Sequence, residues 1–96
     1  MSTTVVADIA PLPGREEEVG RALRAAVTRV RREDAGCERY ELNTDPRDGS
    51  YVMVEQWADA AALDAHAAGP AFAELSAALE GLLARPIAVR ALTPVG

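Results

Sequence analysis

Two runs of alternating side chains joined by a short turn constrain the fold of this chain more than any other feature. The runs are Cys37 to Thr44 (CERYELNT) and Tyr51 to Ala58 (YVMVEQWA), and the segment between them is DPRDGS. Alternation with a period of two residues is typical of a strand with one buried face, and proline, aspartate and glycine favour turns. The pattern predicts an antiparallel hairpin.

The even length of the turn predicts which side chains of the hairpin share a face. It places Thr44 opposite Tyr51 and, counting back, Tyr40 opposite Glu55. A turn of odd length would change this pairing. The side chains expected on one face are Tyr40, Leu42, Met53, Glu55 and Trp57.

The segments on either side of the hairpin read as two helical regions and two outer strands. Residues 3–10 (TTVVADIA) are rich in β-branched residues and end at PLPG. Residues 15–34 begin with glutamates and end with arginines, as a helix dipole favours, with apolar residues at helical spacing up to Gly36. Asp59 is expected to cap a short helix that Gly69 and Pro70 interrupt. A longer helix then runs until just before Pro86, with its apolar stripe at Phe72, Leu75, Leu79 and Leu82.

Residues 87–93 (IAVRALT) complete the chain as a last strand, which gives the order β-α-β-β-α-β. This order predicts an α+β, ferredoxin-like fold in one domain spanning residues 1–96. In that fold the antiparallel sheet has the strand order 4-1-3-2 and carries its helices on one face. The other face then needs either water or a partner.

Composition favours a partner subunit. Twenty of the 96 residues are alanine, so large apolar side chains are few and a small chain has a thin core. The strand positions expected on the second face of the sheet are a mixed set that suits a contact between two sheets, namely Asp8, Arg39, Glu41 and Arg90. We therefore expect a homodimer.

Charge and termini exclude several classes of partner. The net charge is −5, the chain has no lysine, and its arginines alternate with acids, which argues against nucleic-acid binding. No basic leader or long apolar run is present, so we expect a cytoplasmic protein that does not enter a membrane. The single cysteine, Cys37, is expected to be a half-buried strand residue.

The only tryptophan and the only histidine of the chain, Trp57 and His66, lie within ten residues of each other. An imidazole exchanges protons near neutral pH, and an apolar wall containing Trp57, Met53 and Phe72 suits a flat phenolic molecule. Taken alone, a single tryptophan is more often a core residue, and a lone histidine at a helix edge is more often half-exposed or bonded to a carbonyl than catalytic. Glu55 is expected among apolar neighbours, where a carboxylate needs a hydrogen-bond or ion-pair partner. That partner is either another group of the site or simply an arginine.

The remaining candidates are less specific. Asn43, Tyr40 and Tyr51 are either polar residues of a pocket or ordinary strand residues. One histidine and one cysteine twenty-nine positions apart do not form a metal-binding pattern, and the sequence has neither a phosphate-binding loop nor a dinucleotide fingerprint. No metal or cofactor is expected.

The successive segments PLPGREEEV, EDAGCERYEL, YVMVEQWADAAALDAH and GPAF resemble the motifs of the antibiotic biosynthesis monooxygenase family. The resemblance covers about residues 4–93, and its most specific part is Glu-X-Trp followed by Ala-Leu-X-X-His. It implies a dimeric α+β barrel. It also implies oxidation of a small aromatic quinol, phenol or anthrone to a quinone by O2, often without flavin, haem or metal.

By position, the resemblance implies roles for three residues. His66 is expected to transfer a proton or to hydrogen-bond the substrate, Trp57 to form the pocket wall and donate a hydrogen bond, and Glu55 to orient its neighbours. Tyr40, Asn43, Met53 and Phe72 are the expected substrate-binding residues. The positions that characterise the haem-degrading branch correspond to Ala7, His66 and Ser76, a set that disfavours haem.

One departure from the family motif keeps two alternatives open. Many relatives have Ser-Pro-His-Phe where this chain has Gly69-Pro70-Ala71-Phe72, so a second histidine is missing. A ligand-binding or stress-response dimer without turnover fits that loss. A polyketide isomerase or cyclase is the other alternative, because this kind of barrel also supports reactions that need only proton transfer.

Overall fold

The computed structural model describes residues 2–96, which form one four-stranded antiparallel sheet and three helices. The elements in chain order are β1 (Thr3–Ile9), α1 (Glu16–Glu33), β2 (Cys37–Thr44), β3 (Tyr51–Trp57), α2 (Ala60–Ala67), α3 (Pro70–Leu79) and β4 (Ala88–Leu92). The strand order is β2-β3-β1-β4, which confirms the predicted ferredoxin-like topology.

The hairpin of β2 and β3 has the predicted register. Thr44 pairs with Tyr51, and Tyr40 pairs with Glu55. Alternate residues of β3 are buried while their neighbours are only half-buried, as expected for a sheet with one covered face. A bulge between Cys37 and Arg39 lies at the far end of the hairpin, beyond the pairs that carry the candidate site.

The end of α1 is fixed against α2 by a glycine. Gly36 has φ +82°, and a Cβ added there would lie 2.6 Å from the Cβ of Ala62. Its carbonyl accepts a hydrogen bond from the backbone N–H of Ala58 at 2.8 Å. Because only glycine allows both this backbone conformation and this close approach, the residues just before Gly36 are held beside the start of α2.

The second helical region is divided as predicted, but its second part is shorter than predicted. The Asp59 carboxylate caps α2 by accepting from the N–H of Ala62 at 2.8 Å, and α3 begins at Pro70. We predicted that α3 would continue to about residue 85, whereas it ends at Leu79. Residues 82 and 84 instead form backbone hydrogen bonds to residues 12 and 10, and Gly81 takes φ +77°. These bonds draw the chain away from the helix axis. The buried stripe of α3 is Ala71, Leu75 and Leu79.

The second face of the sheet is mixed, as the sequence indicates. Val6 pairs with Val54 at its centre, and both remain only half-buried. Arg90 and Asp8 approach each other to 3.7 Å on the same face. Within residues 2–96, no helix is both long enough and apolar enough to cross a membrane.

Candidate active site

A cavity of about 140 Å³ lies between the covered face of the sheet and the helices. Apolar residues from β1, β3, α1, α2, α3 and β4 form most of its wall. Of the residues that line it within the described chain, the polar ones are Tyr40, Glu55 and His66. Ala67 and Val89 line it too and are exposed, so they mark its opening. The cavity is therefore an apolar chamber with a small group of ionisable side chains.

His66 is the centre of an aromatic cluster at this cavity. Its ring stacks on Trp57 with ring centroids 4.6 Å apart, and meets the edges of Tyr40 and Phe72 at 5.6 Å and 5.4 Å. Only 5% of its surface is exposed. Such close ring contacts hold the imidazole in one orientation.

Asp34, which the sequence did not single out, is the hydrogen-bond partner of His66. Its Oδ2 lies 2.6 Å from Nδ1 of the imidazole, and the two residues are 32 positions apart in the chain. An ionised carboxylate only accepts hydrogen bonds, so Nδ1 carries the hydrogen and Nε2 of the neutral ring has a free lone pair. This pair resembles in geometry the Asp and His of hydrolytic triads.

A signal for Asp34 was present in the sequence. Glu33 and Asp34 follow Arg31 and Arg32 at the end of α1, where the helix dipole disfavours negative charge. Glu33 is compensated by ion pairs with Arg29 and Arg32. The partner of Asp34 is His66 on α2, and no local sequence pattern could reveal a contact between these two distant segments.

Glu55 is bonded to Trp57, in place of the arginine pairing that the sequence allowed. The indole Nε1–H donates to Glu55 Oε1 at 3.0 Å. Glu55 is 6% exposed, and the group bonded to Nδ1 of His66 is Asp34. The indole donor is thus used within the protein. Trp57 itself is completely buried behind His66 and Glu55 and does not line the cavity.

Three polar atoms at the cavity have no hydrogen-bond partner within residues 2–96. They are His66 Nε2, Glu55 Oε2 and the Tyr40 hydroxyl. No side-chain nitrogen or oxygen of this part of the chain is both fully enclosed and unpaired. Each of the three atoms therefore has some exposed surface, and their three residues all line the cavity. Burial, with the nearby Glu55 carboxylate, raises the pKa of the Tyr40 phenol, which favours a neutral hydroxyl donor.

The structure brings together most, but not all, of the side chains predicted for a site. Tyr40, Met53, Glu55, His66 and Phe72 line the cavity. Asn43 does not join them. Its position in β2 is exposed, its odd spacing from Tyr40 puts it on the other face of the sheet, and its amide donates to the carbonyls of Glu41 and Val52.

Ala71, where many relatives were expected to have a second histidine, lies outside this cavity. It is 4% exposed and borders the groove between α1 and α3, together with Ala22 and Glu74. A histidine side chain at position 71 would leave α3 on the side that faces α1. Ala71 itself contributes no atom to the wall that carries His66.

Glu55→Gln is expected to raise the unfolding midpoint by a few degrees near neutral pH and to change it little near about pH 4. Burial raises the pKa of Glu55 above 4.5, opposed by the Trp57 hydrogen bond and the His66 charge. The folded chain thus keeps the proton to higher pH than the unfolded chain. The stabilisation that comes from this bound proton is complete below the pKa of Glu55 in the unfolded chain, and it is lost as pH rises through the pKa of Glu55 in the folded chain. Glutamine does not titrate, so the variant does not lose stability in this way.

Thermal unfolding at both pH values checks this expectation. Glu17→Gln, on an exposed position of α1, is the matched control and leaves the midpoint unchanged to within a degree or so. A Glu55→Gln midpoint that is equal to or below that of the unmodified chain at neutral pH contradicts the expectation.

The described residues also bear on metal binding. Within residues 2–96 no group of three or more His, Cys, Asp or Glu side chains converges as metal ligands do. Cys37 is a free, half-buried thiol, as predicted, and burial raises its pKa.

Comparisons with known proteins agree with the fold. Residues 2–78 match the family model described as antibiotic biosynthesis monooxygenase. Rv0793 of Mycobacterium tuberculosis is 34% identical over 91 residues, which cover 95% of this chain and 89% of that protein. Its solved structure superposes with a TM-score of 0.91, at 30% identity over 100% of this chain and 97% of that one. The crystal structure of PA3566 from Pseudomonas aeruginosa gives a TM-score of 0.88, at 35% identity over 99% and 95% of the two chains. This chain belongs to the antibiotic biosynthesis monooxygenase family.

Proposed function

We propose that this protein is a monooxygenase that oxidises a small aromatic phenol or quinol to a quinone with O2, with no flavin, haem or metal. The observation that carries the proposal is that His66, Glu55 and Tyr40, each with an unpaired polar atom, line one apolar cavity. Membership of the family supports the monooxygenase class. The three atoms supply a base, an acid and a hydrogen-bond donor.

In this scheme His66 is the base. Its Nε2 takes the proton of the substrate hydroxyl, and Asp34 on Nδ1 stabilises the imidazolium that forms. The stacked indole of Trp57 adds attraction for the cationic ring. Tyr40 donates a hydrogen bond to the phenolate oxygen. Proton removal makes the substrate electron-rich enough to reduce O2.

The oxygen chemistry then balances without a further reductant. The phenolate gives its electrons to O2, and a C–O bond forms at a ring carbon that carries hydrogen. The O–O bond of the resulting peroxide breaks as that carbon loses its hydrogen as a proton. One oxygen atom remains as the quinone carbonyl and the other leaves as water. Glu55, whose pKa is raised by burial, is the proposed donor of the proton to the departing oxygen.

Oxygen uptake measured with a panel of phenols and hydroquinones tests the proposal. We expect O2 consumption well above the rate without enzyme, with one O2 used for each quinone formed and no release of hydrogen peroxide. Uptake that is no faster than in the substrate blank contradicts the proposal. Heat-denatured protein is the control for trace metals.

An isomerase or cyclase is the second candidate, because the same base and acid can move a proton without oxygen. The observation that favours it is that each of the three free polar atoms is a proton donor or acceptor. Product that still forms under anaerobic conditions assigns the chain to this class, and loss of product without O2 assigns it to the oxygenases.

We further propose that two chains associate through the second face of the sheet. Val6, Val52 and Val54 form an apolar centre there that remains half-buried in one chain, and charged residues surround it. A face of this kind is typical of a contact between sheets. The thin, alanine-rich core gives such a contact a role in stability.

Light scattering is expected to give twice the 10.1 kDa mass of one chain at micromolar concentration. Val54→Glu is expected to give the mass of one chain, because it places a charge at the centre of the contact without a partner. Ala73→Glu, at an exposed position of α3, is the control and leaves the mass doubled. A monomer mass for the unmodified chain contradicts the dimer.

A further inference from the structure

The size of the cavity limits the ring system that can enter it. It measures about 140 Å³ and its wall is mainly aliphatic. An engineered apolar cavity of roughly 150 Å³ in another protein stays dry and binds benzene. By this comparison the chamber has room for one six-membered aromatic ring, and a fused second ring exceeds it.

Ala7 is the small residue on the sheet side of the cavity that leaves room for such a ring. It lies on the covered face of β1 between Val5 and Ile9, and its direct neighbours across the sheet are Met53 and Val89. All five residues line the cavity. Neighbouring side chains on one face of a sheet are about 4.5–5.5 Å apart, so one methyl group among four larger side chains leaves a depression above it.

The depression lies one ring length from the polar atoms. Glu55 pairs with Tyr40 on one side and with Val5 on the other, and Met53 and Ala7 pair one step further along the strands. That step of two residues spans roughly 6 to 7 Å. A phenol whose hydroxyl contacts Tyr40 and Glu55 therefore places its ring over Ala7.

We propose that the cavity selects single-ring phenols and quinols over fused-ring ones such as anthrones, and that Ala7 is the specificity-determining residue. The assignment of the hydroxyl to the polar end rests on the proposed function. The ring-size limit rests on the cavity alone.

Calorimetric titration under nitrogen tests the limit on the unmodified chain. The probes are hydroquinone, 1,4-dihydroxynaphthalene and an anthrone, with toluene and naphthalene as ring systems that have no proton to transfer. We expect the single-ring member of each series to bind at least about tenfold tighter than its fused-ring counterpart. Greater apolar area alone favours the larger rings, so the expected order cannot come from hydrophobicity. Equal or tighter binding of the fused rings overturns the proposal.

Ala7→Val tests the residue. We expect it to weaken single-ring binding about tenfold or more, because the added methyl groups occupy the depression. Ala71→Val is the matched control, since Ala71 is equally buried and lies outside the cavity. Equal weakening by both variants overturns the role of Ala7. If Ala7→Val does not fold, the ligand ranking on the unmodified chain still decides the size limit.

The outcomes separate this proposal from the proposed function. Toluene that binds tighter than naphthalene, without O2 uptake on any phenol, sustains the size limit and removes the oxygenase. Rapid O2 uptake with anthrones and single-ring phenols alike sustains the oxygenase and removes the size limit.

Discussion

Replacing His66 with glutamine is expected to lower kcat for aerobic oxidation of a phenol by about 10² to 10⁴. Its Nε2 is the free nitrogen at the cavity, and a glutamine amide cannot take up a proton at neutral pH. Initial rates of quinone formation measure the effect. A parallel titration with toluene, which has no proton to transfer, shows that binding changes far less than kcat, which separates loss of the base from loss of the pocket.

Asp64→Asn is the control for this substitution. Asp64 is an exposed carboxylate on the same helix, two positions before His66, and its change is expected to leave kcat within about twofold. A His66→Gln variant that is folded, binds toluene and retains most of its kcat rules out a proton-transfer role for His66.

Asp34→Asn is expected to lower kcat on the order of 10²-fold or more, with KM nearly unchanged. Asp34 does not line the cavity and acts on the substrate only through His66, so it is a positioning residue. The amide no longer carries the charge that stabilises the imidazolium, and its NH2 group can donate to Nδ1 and leave the hydrogen on Nε2. Nε2 of His66 then presents a hydrogen to the substrate in place of a lone pair, so His66 can no longer accept the substrate proton.

Nitrogen NMR of the imidazole gives a readout that a purely structural role does not change. His66 is the only histidine, so the imidazole nitrogen signals all belong to this residue, and their couplings to the ring protons distinguish Nδ1 from Nε2. We expect the hydrogen on Nδ1 in the unmodified chain and a shift toward Nε2 in Asp34→Asn. Glu33→Gln is the control, because the neighbouring carboxylate pairs with arginines on α1. An unchanged tautomer together with an unchanged kcat contradicts the positioning role.

The cluster at the cavity shows why part of the site could be predicted. Tyr40 and Glu55 were expected opposite each other because strand side chains alternate and the turn has an even length, and both conditions are local. The inward direction of His66 followed in the same way from its place beside the apolar residues of α2. Trp57 was correctly placed on the covered face, but its burial behind His66 depends on how α2 packs on β3.

Asn43 and the end of α3 show where local reasoning failed. Asn43 was grouped with Tyr40 for its chemistry, although its odd spacing from Tyr40 puts it on the other face. The apolar pattern of α3 continues past Leu79 to Leu82, yet the helix ends because residues 82–84 hydrogen-bond to residues 10–12. That competition involves a segment seventy positions away in the chain.

The sequence by itself determined the order of the elements, the register of the central hairpin and the face that carries Tyr40, Met53 and Glu55. These features depend on periodicity and turn length, which act between near neighbours. The tertiary structure alone decided that Asp34 is the partner of His66, that Glu55 bonds to Trp57 and that Ala7 leaves space for a ring. Each of these contacts depends on the distance at which a helix packs on the sheet, and that distance is set by side chains from the whole chain at once.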